Sequence, residues 1–167
     1  TQPDSAYYFA GVCLEFAQQK HNYLYESKAL NTQGISYAVR GKLDEAIELY
    51  MKSVEILEKN GSDKQLSGTL NNIGMAYLNK GKLIESINYF ERTLLINKKY
   101  KSDKGIASNL SNLGNVYEKI GDYSKAIIYN MEGLKINEKI GNNLGIAIIY
   151  NNIGNINSML DNGEKAM

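Results

Sequence analysis

The stretch LNNIGMAYLNKG at residues 70–81 decides the fold, because the chain repeats it. Similar stretches occupy residues 30–41, 110–121 and 150–161, so the spacing is 40 residues each time. Each stretch has a glycine at its fifth position, and these are Gly34, Gly74, Gly114 and Gly154. A fixed period that recurs in register indicates a repeat architecture rather than one irregular domain.

Each 40-residue period contains two amphipathic helix patterns. In the first pattern Leu66, Leu70 and Tyr77 share one apolar stripe at helical spacing. The second pattern runs from about Leu83 to two lysines at residues 98–99, which suit a helix C-terminus. Gly81 lies between the two patterns, where a left-handed residue ends a helix. The sequence therefore predicts a pair of antiparallel helices in every period.

The mid-helix glycines predict a close approach between the two helices of a pair. Glycine inside a helix costs about 1 kcal/mol relative to alanine, so a packing reason is expected. We expect the partner helix to contact the glycines through its small residues, which are Ala46, Ser86 and Ala126. By the same alignment Cys13 takes the place of Ser53 and is interpreted as a small buried residue.

The repeat frame predicts the organisation of the whole chain as a single array. Residues 4–19 align with a second helix and residues 164–166 with the start of another, which is typical of a fragment of a longer array. The exposed C-terminal edge of such a fragment would be available for self-association. The predicted units are a partial repeat at 1–26, full repeats at 27–66, 67–106 and 107–146, and a partial repeat at 147–167.

The composition argues against several classes of function. With 19 basic and 18 acidic residues the net charge is +1, which gives no bulk attraction for nucleic acid or an anionic membrane. One cysteine and one histidine cannot build a disulfide framework or a structural zinc site. No apolar run reaches the roughly 18–20 residues of a membrane span. The repeat pattern accounts for the candidate carboxylates and nucleophiles, so we expect no enzymatic activity, no cofactor and no metal.

The chain resembles the tetratricopeptide repeat family in its longer, 40-residue form. The family pattern is visible in the first helix as Leu70, Gly74 and Tyr77, and in the second helix as Ser86 and Phe90. The third repeat departs from it at position 130, where asparagine replaces the aromatic residue. The resemblance implies an all-α fold, a right-handed superhelix of antiparallel helix pairs. Phrases such as Asn-Asn-Ile-Gly resemble the arrays that precede sensor histidine kinases, nucleotide cyclases or transcription-regulator domains in bacterial signalling proteins.

The resemblance also implies a ligand groove lined by the first helices, which is where many of the 20 asparagines fall. An asparagine side chain offers a donor and an acceptor, so a row of them suits the backbone of an extended peptide. The alternative interpretation is that these asparagines cap helices, link neighbouring helices or reflect biased composition. The candidate groove residues are Asn71, Asn72, Met75, Asn79, Asn112, Asn115, Lys119, Asn151, Asn152 and Asn155.

Two functions follow as hypotheses. The first is a protein- or peptide-binding module that serves as the sensory or regulatory segment of a larger bacterial signalling protein. The second is a structural scaffold that oligomerises through its ends or convex face. Binding of a C-terminal carboxylate, as in the chaperone-tail binders of the family, is disfavoured because Lys28 is the only basic residue at the early groove positions. The compartment stays open between the cytoplasm and, for a sensor-kinase ectodomain, the periplasm.

Overall fold

The structure is a computed structural model that describes the backbone of residues 5–165 and the side chains of residues 5–161. Within that range the chain is all-α, and no strand is present. None of these helices is long and apolar enough to cross a membrane. The helices are α1 Ser5–Gln19, α2 Tyr23–Val39, α3 Leu43–Lys59, α4 Asp63–Asn79, α5 Leu83–Lys99, α6 Asp103–Ile120, α7 Tyr123–Lys139 and α8 Asn143–Lys165. The predicted all-α class and the helix over residues 83–99 are confirmed.

The turns between helices recur every 20 residues and have the same backbone geometry. A residue with positive φ occupies positions 21, 41, 61, 81, 101, 121 and 141. Five of these residues are glycines, including the predicted Gly81 at φ 73°. The other two, His21 and Lys101, adopt φ 52° although they carry a Cβ. The shared turn explains why most of the helices between them have the same length of 17 residues.

The last helix differs from the sequence expectation. A second helix was expected to begin near residues 164–166, which requires a turn close to residue 161. The backbone instead continues as helix to Lys165, and α8 reaches 23 residues. The physical reason is visible in the sequence, because Asp161 occupies the place of the turn glycines Gly41, Gly81 and Gly121. Ala166 lies outside the described residues.

The helices form two compact units, one up to Ile96 and one from Asn97 onward. We refer to them as the first and the second unit. The core of the first unit contains Ala46, Tyr50, Val54, Leu57, Leu66, Leu70 and Ile73. The buried apolar residues of the second unit are Ala107, Leu110, Leu113, Val116, Ala126, Leu134, Ile149 and Ile156. The predicted repeat boundaries stay a prediction.

The mid-helix glycines do allow a close approach, and the main side chain that fills it is large. A Cβ on Gly74 would lie 2.7 Å from Cε1 of the buried Phe90, and a Cβ on Gly34 would overlap the ring of Tyr50. The expected small residues take part as well, since the Ser86 hydroxyl donates to the Gly74 carbonyl at 2.9 Å. The glycine therefore makes room for the ring one turn beyond the small residue.

Candidate functional site

The ten predicted groove residues lie on the first helix of successive repeats. Asn71, Asn72, Met75 and Asn79 are on α4 in the first unit. In the second unit, α6 carries Asn112, Asn115 and Lys119, and α8 carries Asn151, Asn152 and Asn155. Half-buried positions are taken by Asn71, Asn72, Asn112, Asn115 and Asn152. The remaining five, Met75, Asn79, Lys119, Asn151 and Asn155, are exposed.

In the first unit an asparagine pair bridges neighbouring repeats. The amide Nδ2 of Asn72 on α4 donates to Oδ1 of Asn31 on α2 at 3.1 Å. No other hydrogen bond of these two side chains exists among the described residues. The pair therefore keeps one amide donor on Asn31 and one carbonyl acceptor on Asn72 for another molecule.

In the second unit the equivalent asparagine makes a larger network. Asn152 Nδ2 lies 2.9 Å from Asn115 Oδ1, 3.2 Å from Asn130 Oδ1 and 3.5 Å from Ser111 Oγ. Asn130 is fully buried on α7 and also donates to the Ala126 carbonyl at 2.9 Å. The Oδ1 of Asn152 has no partner among the described residues, so this pair likewise keeps an open donor and an open acceptor.

Beside each asparagine pair a cleft lies between two first helices. The cleft of the first unit, about 240 Å³, lies between α2 and α4 and is lined by Leu24, Ser27, Lys28, Asn31, Leu57, Gln65, Gly68 and Thr69. The cleft of the second unit, about 340 Å³, lies between α6 and α8 and has lining residues that include Lys104, Ser108, Ser111, Asn115, Asn137, Asn142, Leu144, Gly145 and Ile148. Most lining positions of the two clefts are related by 80 residues, so they are one site in two versions.

The larger cleft has a more polar floor. Leu57 at the floor of the first cleft is replaced by Asn137 in the second, and Gln65 is replaced by Gly145. Asn137 accepts a hydrogen bond from Asn142 Nδ2 at 2.7 Å. A Cβ at position 145 would overlap the Asn137 amide. Asn137 therefore requires a glycine at position 145, and both replacements widen the second cleft relative to the first.

Each cleft carries one lysine and no carboxylate among its lining residues. In the first cleft the Lys28 ammonium lies over the Tyr25 ring, 5.3 Å from its centre. In the second cleft Lys104 makes no ion pair or hydrogen bond among the described residues. The adjacent Asp103 does not neutralise it, because its carboxylate is bound by Lys139 at 2.9 Å.

The resolved pKa shifts of tyrosines belong to residues outside the lining of the two clefts. The clearest shift lies in the core, where burial raises the pKa of Tyr50 to about 12. Burial also raises the pKa of Tyr89, whose ring stacks on Tyr77 at 5.4 Å. Within residues 5–161 no group of three or more His, Cys, Asp or Glu side chains could hold a metal ion. The arrangement therefore offers neutral donors and acceptors with one cation per cleft, which suits recognition of a polymer chain.

Sequence reasoning missed the floor of the second cleft and misplaced one residue. Asn137 and Lys104 were not among the candidates, although a 40-residue alignment shows Leu57, Asn97 and Asn137 in one column. Cys13 was expected to be buried and is exposed, because no described helix covers that face of α1. The same face carries exposed Tyr8, Phe9, Val12 and Phe16.

Comparison with known proteins agrees with the repeat pattern. The tetratricopeptide repeat model matches residues 65–139. Residues 65–139 therefore contain tetratricopeptide repeats. The predicted all-α fold of paired helices is confirmed by the helices of the structure and by the solved structures that share its fold. No curated protein matches the chain.

Solved structures with the same fold come from varied proteins. BtubC (BKLC) from P. vanneervenii has 16% identity and a TM-score of 0.76, over 94% of this chain and 74% of that one. A Rap protein complexed with competence and sporulation factor has 14% identity and a TM-score of 0.80, over 93% and 47%. The TPR2AB domain of yeast Sti1, in a complex with pHSP90, has 24% identity and a TM-score of 0.68, over 83% and 48%. At these identities the likeness shows the fold alone.

Proposed function

We propose that this chain is a non-enzymatic module that binds an extended peptide, or an extended segment of a protein, on the first helices of its tetratricopeptide repeats. The observation that carries the proposal is the asparagine pair in each unit, Asn31 with Asn72 and Asn115 with Asn152. Each pair is internally bonded once and keeps a donor and an acceptor open. In this proposal the module is the sensory or regulatory segment of a larger bacterial signalling protein.

The chemistry of an asparagine pair complements a peptide backbone. Every residue of an extended peptide presents one N–H donor and one C=O acceptor. An open amide Nδ2 can donate to the carbonyl, and the open Oδ1 of its partner can accept from the N–H. Because these hydrogen bonds involve only the backbone of the peptide, selection among peptide side chains is assigned to the neighbouring cleft. The bond within each pair holds both amides in place before a ligand arrives, which reduces the entropy lost on binding.

Known structures of the same fold support a peptide or protein ligand. The titles of two neighbours describe a Rap protein bound to competence and sporulation factor and a Rap regulator bound to the Phr* peptide. A third describes a complex with pHSP90. In the signalling hypothesis, a ligand that binds one conformation of the array better shifts the population toward it, and an attached output domain responds.

The test uses two exposed asparagines on α4 and α8 that have no hydrogen bond among the described residues, Asn79 and Asn155. The parent chain is first used to select peptides from a random library. Replacing both residues by alanine should lower the affinity of the selected peptides about 30-fold, since each of the two lost hydrogen bonds contributes about 1 kcal/mol. The matched control is Asn88→Ala, at an exposed asparagine on the second helix α5, and it should bind like the parent.

Asn72→Ala and Asn152→Ala then test the bonded pairs themselves. Both should weaken binding, and thermal unfolding of each variant separates a binding effect from a loss of fold. A library that yields no binder, or binders that respond to Asn88→Ala as strongly as to the groove variants, would count against the proposed function.

A second candidate function, a self-associating scaffold, is favoured by the apolar face of α1. Tyr8 is 61% exposed and Val12 49% exposed, whereas the equivalent positions of α3 hold the charged residues Glu48 and Lys52. A large exposed apolar surface is typical of an interaction site. If the chain dimerises through this face, Val12→Lys should convert the dimer to a monomer in light scattering. An unchanged mass would argue against this candidate.

A further inference from the structure

We infer that the cleft of the second unit binds the carboxylate side chain of an acidic residue in the ligand. This inference rests on the proposed function and deepens it, because it names the residue that the cleft selects. The cleft of the first unit, built from the same repeat positions, lacks the groups that carry the inference. The groups of the second cleft that carry the inference belong to Lys104, Ser108, Asn137, Asn142 and Gly145.

The floor of this cleft holds a buried amide group whose donor is unused. Asn137 is 3% exposed, and its Oδ1 is occupied by Asn142. Its Nδ2 makes no hydrogen bond to any described residue. No fully buried side-chain nitrogen or oxygen among those residues lacks a partner, so this Nδ2 keeps some accessible surface, and Asn137 lines the cleft. A buried donor that faces a cleft calls for an acceptor from outside the chain.

The unused donor results from a local departure from the repeat. In the preceding repeat the equivalent Asn97 donates its Nδ2 to Asn109 Oδ1 at 2.6 Å. The residue that would accept from Asn137 in the same way is Ile149, which has no side-chain acceptor. Asn137 therefore occupies the same repeat position as Asn97 but has no internal acceptor for its Nδ2.

The remaining groups of the cleft favour a negative acceptor. Lys104 supplies an unpaired ammonium, and Ser108 supplies a hydroxyl that has no hydrogen bond among the described residues. The lining contains no carboxylate that would compete for these donors. A carboxylate accepts several hydrogen bonds at once and pairs with an ammonium, whereas a neutral amide satisfies fewer of these groups. Leu144 and Ile148 on the opposite wall suit the methylene groups of a glutamate side chain.

The experiment titrates the chain with a probe that needs no peptide-binding activity. The probe is N-acetyl-glutamate-N-methylamide, and its matched control is the glutamine analogue. The side-chain NH₂ resonances of Asn137 are assigned by their loss in Asn137→Leu, which installs the residue found at position 57. The glutamate probe should shift these resonances in a saturable way at millimolar concentration, and the glutamine analogue should shift them much less.

Charge variants and amidated peptides complete the test. Lys104→Gln should lower the affinity for the glutamate probe about two- to fivefold and reduce the salt dependence of its binding. The control Lys101→Gln, at an exposed lysine outside the cleft, should change neither quantity. The peptides selected in the library experiment are synthesised with an amidated C-terminus. Replacing a glutamate of such a peptide by glutamine should lower its affinity for the chain. Preference for a free C-terminal carboxylate instead of an internal glutamate would overturn the side-chain assignment.

The two proposals fail in different ways. If the probe leaves the Asn137 resonances unmoved and selected peptides bind without a Glu/Gln preference, the acidic-residue inference is wrong and the peptide-binding module stands. If the probe binds at Asn137 but no library peptide binds, the cleft is an acidic-group site and the proposed backbone recognition is wrong.

Discussion

The two units build the same helix pair around opposite kinds of side chain. In the first unit the buried ring of Tyr50 fills the space that Gly34 leaves open, and in the second unit Asn130 fills the same space beside Gly114. The ring contributes apolar burial, whereas the amide contributes only if its hydrogen bonds are made. Both units have a glycine at this position, and its lack of a Cβ leaves the space open. The fold therefore depends on the close approach of two helices at the glycine. The space beside the glycine can be filled by an aromatic ring or by an amide side chain.

A second column of the repeat shows the same contrast. Leu57 in the first unit becomes Asn97 and Asn137 in the second, and the residue eight positions later changes from Gln65 to glycine in both cases. Replacing apolar contacts by amide networks makes the second unit dependent on complete sets of partners. Four sets of variants test whether the two units depend on these different side chains.

Exchanging the fillers should have unequal consequences. Tyr50→Asn removes a buried aromatic ring and places an amide where no second-unit network exists, so the free energy of unfolding should fall by about 3–5 kcal/mol. Asn130→Phe, which restores the residue found at Phe90, should change it by less than about 1.5 kcal/mol. Urea denaturation of both variants measures the difference. Equal losses would show that the fillers are not interchangeable within one framework.

Adding a Cβ at the close approach should be the next largest effect. Gly34→Ala would overlap the Tyr50 ring, and we expect a loss of about 1–3 kcal/mol in the free energy of unfolding. The control is Gly154→Ala in α8, where a Cβ would meet nothing within 4 Å. That variant should gain up to about 1 kcal/mol from helix propensity. Thermal or urea unfolding should therefore give changes of opposite sign in the free energy of unfolding of the two variants. A loss of similar size in both would contradict the close approach at Gly34.

Breaking one buried amide pair should have a moderate effect that a second change relieves. Asn97→Leu removes the donor to Asn109, which stays buried, and should cost about 1–2 kcal/mol. The double variant Asn97→Leu with Asn109→Thr copies the first-unit pair Leu57 and Thr69 and should recover part of that loss. A double-mutant cycle measures the coupling. Simple additivity would show that the two amides act independently.

The smallest effect at neutral pH should come from removing the hydroxyl of Tyr50. Tyr50→Phe copies Phe90, so we expect a change below about 1 kcal/mol at pH 7. Burial raises the pKa of Tyr50 from 10.0 to about 12 in the folded chain. The neutral phenol therefore stabilises the fold fully below pH 10, and this contribution is lost as pH rises toward 12. The stability difference between parent and variant should shift in favour of the variant across that window.

The sequence alone predicted the fold well because its signal is periodic. The glycines at positions 34, 74, 114 and 154 and the turns at Gly81 and Gly121 mark elements whose geometry depends on local backbone chemistry. The single wrong element, the turn expected near Asp161, falls where the marker glycine is missing. The turns at His21 and Lys101 form without glycine, so the marker glycine makes a turn predictable from the sequence but is not required for it.

The candidate site was only partly predictable. Asn72, Asn115 and Asn152 could be placed on one kind of helix face from their register, and the structure brings Asn115 and Asn152 within 2.9 Å of each other. Their internal hydrogen bonds depend on distances between repeats that a linear pattern does not contain. The floor residue Asn137 belongs to a second helix, and its open donor arises from the absence of an acceptor at Ile149. Such a gap is visible only when both positions are placed in three dimensions.

The turn at every twentieth residue also bears on how quickly the chain can fold. Within the first unit α2 packs on α3 and α4, and within the second unit α6 packs on α7 and α8. Partner residues are thus separated by about one or two helix lengths of sequence, so the loops that close during folding are short. Chains dominated by such local contacts fold in microseconds to milliseconds. Because a single pair leaves its apolar face uncovered, we expect each pair to become stable during synthesis only when the next helix has emerged to cover it.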